Sequence, residues 1–422
     1  MKRLYQWIRL GWMSLALAAG MTVMAGQSVA PALAAGKTIY VDDDGVQCPG
    51  AQTSLPGAIT ALGSIKTDVT IIVCQGTYVA ASNAVSLTGY TNLKIVGKDA
   101  PLIDASSGFG GQFIHVTSST SVTISGLEFL GAGNLSTSAN ATAISFDNTT
   151  GTISGNDING WHQDYTSPLT HIDDAIDILT TSASQKVTIE RNSLFDIQDN
   201  GIALFGPGKF TVGHNHVFQH NDVTPIATFG AGPIQQAGII LVNGGSGSTI
   251  SDNMIEGNAG LEPICSVCLL LSVGKGIALV QSSSVKVTGN TIVTTGDAIT
   301  VESWCYLSGS SNTLADSNTI SGNKLTNNHF GVLIQAHNYY GTACTAHADS
   351  NSVKSNTIND DGDLSRFAAI VNATSPDVSS GNKITSNTIS GYPFTPFDVV
   401  GTGVSGTVTT PNTVNAMPVT GF

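Results

Sequence analysis

The chain has 422 residues and a formal charge of −13, with 11% of residues charged and 47 glycines. That acidity, without clustered Lys or Arg, excludes a counterion-displacing nucleic-acid surface and repels densely anionic polymers unless a metal intervenes. Abundant Gly, Ser, Thr and Asn favour short strands and tight turns over helices.

Lys2, Arg3 and Arg9 form a basic start, Leu10 to Met24 an apolar run, and Ala32-Leu33-Ala34 a small-residue cleavage site. These are the three regions of a secretory signal, with cleavage expected after Ala34. No Cys stands there to take a lipid, and no second apolar stretch long enough to span a bilayer follows. The mature chain is therefore expected to be extracellular, off the membrane and monomeric. Losing the leader leaves 13 basic residues against 29 acidic ones, with Arg191 and Arg366 the remaining arginines.

The mature length alone suggests more than one domain, but an internal repeat overrides that prior. A strand of the form small–Ile–x–aliphatic recurs, as in Ala175-Ile176-Asp177-Ile178, Gly201-Ile202-Ala203-Leu204 and Gly238-Ile239-Ile240-Leu241. Each is followed by Asn, one residue and an aliphatic: Asn156-Asp157-Ile158, Asn192-Ser193-Leu194, Asn215-His216-Val217, Asn253-Met254-Ile255, Asn290-Thr291-Ile292, Asn323-Lys324-Leu325, Asn356-Thr357-Ile358 and Asn387-Thr388-Ile389. Repeats of this size bury their apolar sides only by stacking, which makes parallel strands around one core. Asn suits the bend because it tolerates left-handed geometry, and its amide can pair from coil to coil.

On these residues the chain resembles the pectate-lyase-like superfamily, which implies an all-β, single right-handed parallel β-helix with an asparagine ladder. The opening is also similar: Thr38 to Gly45, an amphipathic segment around Leu55 to Leu62 acting as a cap, then Val69 to Val73. The expected organisation is a signal at 1–34, cap and first coil at 35–80, β-helix at 81–395 and a C-terminal tail or cap at 396–422.

Departures from the repeat mark where function gathers. The interval from strand Ile to the next ladder Asn is 13 or 14 at 202–215, 239–253 and 277–290, but 24 at 299–323 and 332–356. The interval from Asn to the next Ile is 9 or 10 at 192–202, 290–299 and 323–332, but 20 to 24 at 156–176, 215–239 and 253–277. These insertions flank one strand face, predicting a groove floored by His115, Ser145, Asp177, Ala203, Ile240, Ala278, Thr300, Leu333 and Val371. Trp161, His162, Trp304, His337 and Tyr339 are the candidate sugar-binding side chains, since a sugar's apolar face lies flat on a ring. The alternative is that the aromatics pack loops onto the coil and the histidines are loop-surface groups.

Six cysteines in an exported chain favour three disulfides. Cys48–Cys74 would staple the cap, Cys265–Cys268 would close a loop, and equal insertions on consecutive coils bring Cys305 beside Cys344. Spacing excludes a zinc site.

Acidic residues gather at Asp173, Asp174 and Asp177, with Asp199 and Asn200 one coil later. Glycoside hydrolysis needs one carboxyl to protonate the leaving oxygen and one carboxylate to activate water, so Asp174, Asp177 and Asp199 are the candidate catalytic residues. Asp173, Asp174, Asp177 and Asp199 would also suit Ca²⁺, although no motif requires a cofactor. The resemblance to polygalacturonases is partial: Asp174 matches the catalytic aspartate of their first motif, and Asp199-Asn200 the pair of their second. Asn200 cannot ionise, Gln236-Ala237-Gly238 replaces Gly-His-Gly, and Arg-Ile-Lys is missing. A carbohydrate-active enzyme, hydrolase or lyase, acting on a polysaccharide or other glycan is one reading. A non-enzymatic surface or glycan-binding protein is the other.

Overall fold

The structure is a computed structural model describing residues 36–131, 141–160, 174–197, 200–219, 237–257, 274–305, 313–328, 330–338, 344–360, 367–391 and 396–415. The chain divides into Met1–Lys37 and Thr38–Phe422; the expected signal at 1–34 lies outside the described residues. The second unit is a parallel β-helix, each turn contributing one strand to each of three long sheets. Sheet I runs from Lys37–Val41 through Thr67–Val73 to Lys383–Thr385, sheet II from Val85–Thr88 to Phe397–Val400, and sheet III from Thr77–Val79 to Thr413–Asn415.

The core is a column of stacked side chains. In sheet III Ile158, Leu194, Val217, Ile255, Ile292, Leu325, Ile358 and Ile389 stand in register, all fully buried. The small residue opening each sheet II motif has a steric cause. A Cβ on Gly201, Gly238, Gly276 or Gly331 would come within 2.6–2.7 Å of Val217, Ile255, Ile292 or Ile358 across the core.

The asparagine ladder runs between sheets I and III. Asn156, Asn192, Asn215, Asn253, Asn290, Asn323 and Asn356 each donate from Nδ2 to Oδ1 of the next ladder asparagine, at 2.9–3.0 Å. Their backbone N–H groups donate to the same oxygens. Bend geometry differs from expectation. The left-handed residue is the one before each asparagine, namely Gly155, Arg191, His214, Asp252, Gly289, Gly322, Ser355 and Ser386. The preceding residue takes the positive φ, leaving the asparagine amide to turn inward and pair.

The helix Leu55–Leu62 begins at Ser54, whose side chain accepts from Gly57 N at 3.1 Å, and buries Leu55, Ala58 and Leu62. Disulfide Cys48–Cys74, with a Cα separation of 6.4 Å, staples this end as expected. At the other end the coil continues past the expected boundary at 395. Phe397–Val400 pairs with Phe367–Ala373, and Asn387 Nδ2 donates to Asn412 Oδ1 at 3.0 Å. Asn412-Thr413-Val414 thus forms the ninth rung of this ladder.

Replacing a central rung, Asn290→Ala, leaves the buried Asn253 donors without their acceptor. A loss of about 2–3 kcal/mol is expected, measured as a lowered urea midpoint. Thr188→Ala, on the outer face of sheet I, should stay within about 0.5 kcal/mol of the parent.

Candidate functional site

The outer face of sheet II carries the residues with chemistry. One row along it reads Ser86, His115, Ser145, Asp177, Ala203, Ile240, Ala278, Thr300, Leu333 and Ile370. Ile370 takes the place expected for Val371: Ala369 fills the inward position next to Val332, so alternation turns Val371 into the core. The face is also less open than a continuous groove. Every member of the row from Ala203 to Ile370 is buried, whereas His115 and Asp177 are only partly so.

Asp177 stands opposite Ser145, and Asp147 lies two residues further along that neighbouring strand. Burial, followed by the charge of Asp147, pushes the Asp177 carboxyl up to about 6. Its Oδ1 is buried without a hydrogen bond. Burial lowers the pKa of His115, against the pull of Asp147. Asp174, three residues before Asp177, is buried and accepts at Oδ1 from Asn200 N at 3.1 Å and Nδ2 at 2.8 Å. Asn200 Oδ1 in turn accepts from Ala237 N at 3.0 Å. Asp174 thus anchors a short polar ladder while Asp177 faces the surface. Asp173, Asp199, Trp161, His162, Tyr339, Cys265 and Cys268 lie outside the described residues.

A second cluster escaped sequence reasoning. Lys275 pairs in register with Asp297, and its Nζ lies 2.5 Å from Glu302 Oε1 and 5.5 Å from the Trp304 ring centroid. Lys275, Asp297, Glu302, Thr300 and Gln335 are all buried. Around them the outer face is apolar: Ala203, Ala237, Ile240, Ala278, Val280 and Trp304 pack on one side, Phe330, Leu333 and Ile370 on the other. The available signal was three charges at outward positions of two consecutive coils, Lys275 on one and Asp297 with Glu302 on the next.

The stretched coils build a rigid wall beside this cluster. Strands Asp297–Trp304 and Phe330–His337 pair along their lengths, placing Trp304 next to His337. Beyond them Cys305–Cys344 closes as expected, with a Cα separation of 5.8 Å, and Thr313–Leu314 pairs with Ala346–His347. Ser303 Oγ lies 2.8 Å from Thr313 Oγ1 and accepts from His347 N at 3.2 Å. Burial lowers the pKa of His337, opposed by the charge of Asp377.

Among the described residues, only Asp42, Asp43 and Asp44 bring three potential metal-ligand groups together, away from sheet II. Backbone donors already occupy them: Cys48 N and Gly45 N on Asp42, Thr77 N on Asp43 and Val46 N on Asp44.

Residues 112–414 match the family described as right handed beta helix region. A sequence search of curated proteins finds no match. Among solved structures, the Dettilon tailspike protein gp208 is 16% identical with a TM-score of 0.60, covering 90% of this chain and 68% of that one. The GH136 lacto-N-biosidase from Eubacterium ramulus is 13% identical with a TM-score of 0.59 over 90% and 68%. A hyperthermoactive exopolygalacturonase from Thermotoga maritima is 10% identical with a TM-score of 0.57 over 86% and 87%. At these identities the likeness is one of fold.

Two stability measurements probe these clusters. Glu302→Gln strands a buried ammonium and should cost about 3–5 kcal/mol, whereas the double variant Lys275→Met/Glu302→Leu should recover most of it. A double variant no more stable than Glu302→Gln would argue against a paired, desolvated ion pair. Asp177 holds its proton more tightly in the native state than in the unfolded chain between 3.8 and about 6, so its contribution to stability falls as pH rises through that window. Asp177→Asn should therefore raise the urea midpoint above the parent's at neutral pH, with the gain gone below the ordinary aspartate value.

Proposed function

The chain belongs to the right handed beta helix region family, and we propose that it is an exported carbohydrate-active protein that holds a glycan on the outer face of sheet II and cleaves it beside Asp177. The observation carrying this reading is the pair of carboxylates on neighbouring strands, Asp147 and Asp177, at the less buried stretch of that face. Adjacent carboxylates separate in proton affinity, which divides acid from base. Asp177, raised to about 6, is suited to protonating the leaving oxygen. Asp147, whose Oδ1 accepts from Asn148 Nδ2 at 2.9 Å, is suited to act as base or nucleophile. Asp174 then serves through its bonds to Asn200, and Asp199 is retained as a further acid–base candidate. Trp304 and His337 line the same face, with Trp161, His162 and Tyr339 kept as sugar-binding candidates.

Structural neighbours support a glycan as the ligand, since they include an exopolygalacturonase, a lacto-N-biosidase and an α-1,3-glucanase. Export is supported by the two disulfides among the described residues and by the leader-like first 34 residues. No helix among the described residues is long and apolar enough to cross a membrane.

Product release from plant and bacterial polysaccharides tests the enzyme reading. Asp177→Asn should lower the rate by about 10²-fold or more, beside Asp147→Asn, Asp174→Asn and Asp199→Asn. Release unchanged in Asp177→Asn sinks its assigned role. Binding without release by the parent protein would favour a non-catalytic glycan-binding protein.

A further inference from the structure

Resting on the reading that sheet II holds a glycan, we infer that this glycan carries no anionic groups. The inference comes from which charges the coil register brings to that face. Asp147, Asp177, Asp297, Glu302 and Asp398 all belong to its outward rows, and among the described residues Lys275 is the one lysine or arginine there. Lys275 is already committed. Its side chain is 8% exposed, its Nζ sits 2.5 Å from Glu302 Oε1, and it stacks over Trp304.

A uronate or sulfated chain requires a cation to meet each anionic group it buries. Lys275 could meet one only by abandoning Glu302, which would leave that carboxylate buried and uncompensated. The face's two histidines, His115 and His337, are shifted by burial toward the neutral form. What the face offers instead is acceptors in want of donors. Asp177 Oδ1 is buried without a hydrogen bond, and the Thr300 hydroxyl is in the same position further along the row. Sugar hydroxyls both donate and accept, so they can pair with the Asp177 carboxyl in either protonation state and with the Thr300 hydroxyl.

The test is glycan binding by the full chain, using a linear glucan, a galactan and a xylan against polygalacturonate, alginate and chitosan. Each is measured at low and high ionic strength, with added Ca²⁺ and with chelator. At least one neutral polymer should bind roughly tenfold or more tightly than either uronate polymer, with an affinity insensitive to salt. Uronate binding should strengthen with salt as the repulsion is screened. Asp147→Asn, a partly exposed position that strands no buried ammonium, should raise uronate affinity at low salt. Tightest binding to a neutral polymer or to chitosan upholds the inference, whereas tightest binding to a uronate polymer, with or without Ca²⁺, overturns it while leaving carbohydrate binding intact. Failure to bind any polymer overturns both.

Discussion

From Asn156 onward, each coil is tied to the next by one side-chain amide. The ladder asparagine donates from Nδ2 to the asparagine above it, and that same oxygen also takes its backbone N–H, so a tight bend is buried without orphaned donors. A third bond, from Nδ2 to a core-strand carbonyl such as Ile189 O, locks the amide's orientation. Buried polar groups that satisfy one another completely specify a geometry as well as stabilise it. Here the specified geometry is the register between coils. Once that register is set, each outward position of sheet II forms a straight row, and residues tens of positions apart in sequence become neighbours.

The rows explain why the chemistry is concentrated on one face. Sheet II's outer surface is polar and partly open around His115 and Asp177, then apolar and buried from Ala203 onward, with a charged island at Lys275, Asp297 and Glu302. A buried ion pair is a weak source of stability because desolvation cancels much of the attraction. Its presence within an apolar patch is therefore better explained by positioning or recognition than by folding. The wall beside it, closed by Cys305–Cys344 and by the short pairing of Thr313–Leu314 with Ala346–His347, holds Trp304 and His337 on rigid strands. Rigid strands and a covalent staple preorganise a binding surface better than a free loop does.

Much of this was legible in the linear chain. The Asn–x–aliphatic repeat identified the coil, the stretched intervals located the wall, and equal insertions on adjacent coils paired Cys305 with Cys344. Local errors arose where two readings fit equally well: Ala369-Ile370-Val371 could be phased either way, and only pairing with Val332 and Leu333 turned Val371 inward. The left-handed residue was misplaced by one for a related reason, since composition says that a bend is present but not which residue absorbs it. A further ladder of Asn318, Asn351 and Asn382 went unread although each opens the same pattern, Asn318-Thr319-Ile320, Asn351-Ser352-Val353 and Asn382-Lys383-Ile384, because it lies in only the last coils and repeats out of phase with the longer ladder.

The amino-acid order by itself determined the fold, the face and the disulfide-bearing wall, because stacking repeats demand periodic residues and periodicity is visible in one dimension. Tertiary structure alone decided which outward side chains meet. Asp174 is engaged by Asn200 while Asp177 stands beside Asp147, and Lys275, opposite Asp297 in register, reaches forward along its strand to Glu302. Those choices depend on the length of a side chain relative to coil spacing and on the local cost of desolvation, neither of which a repeat pattern encodes.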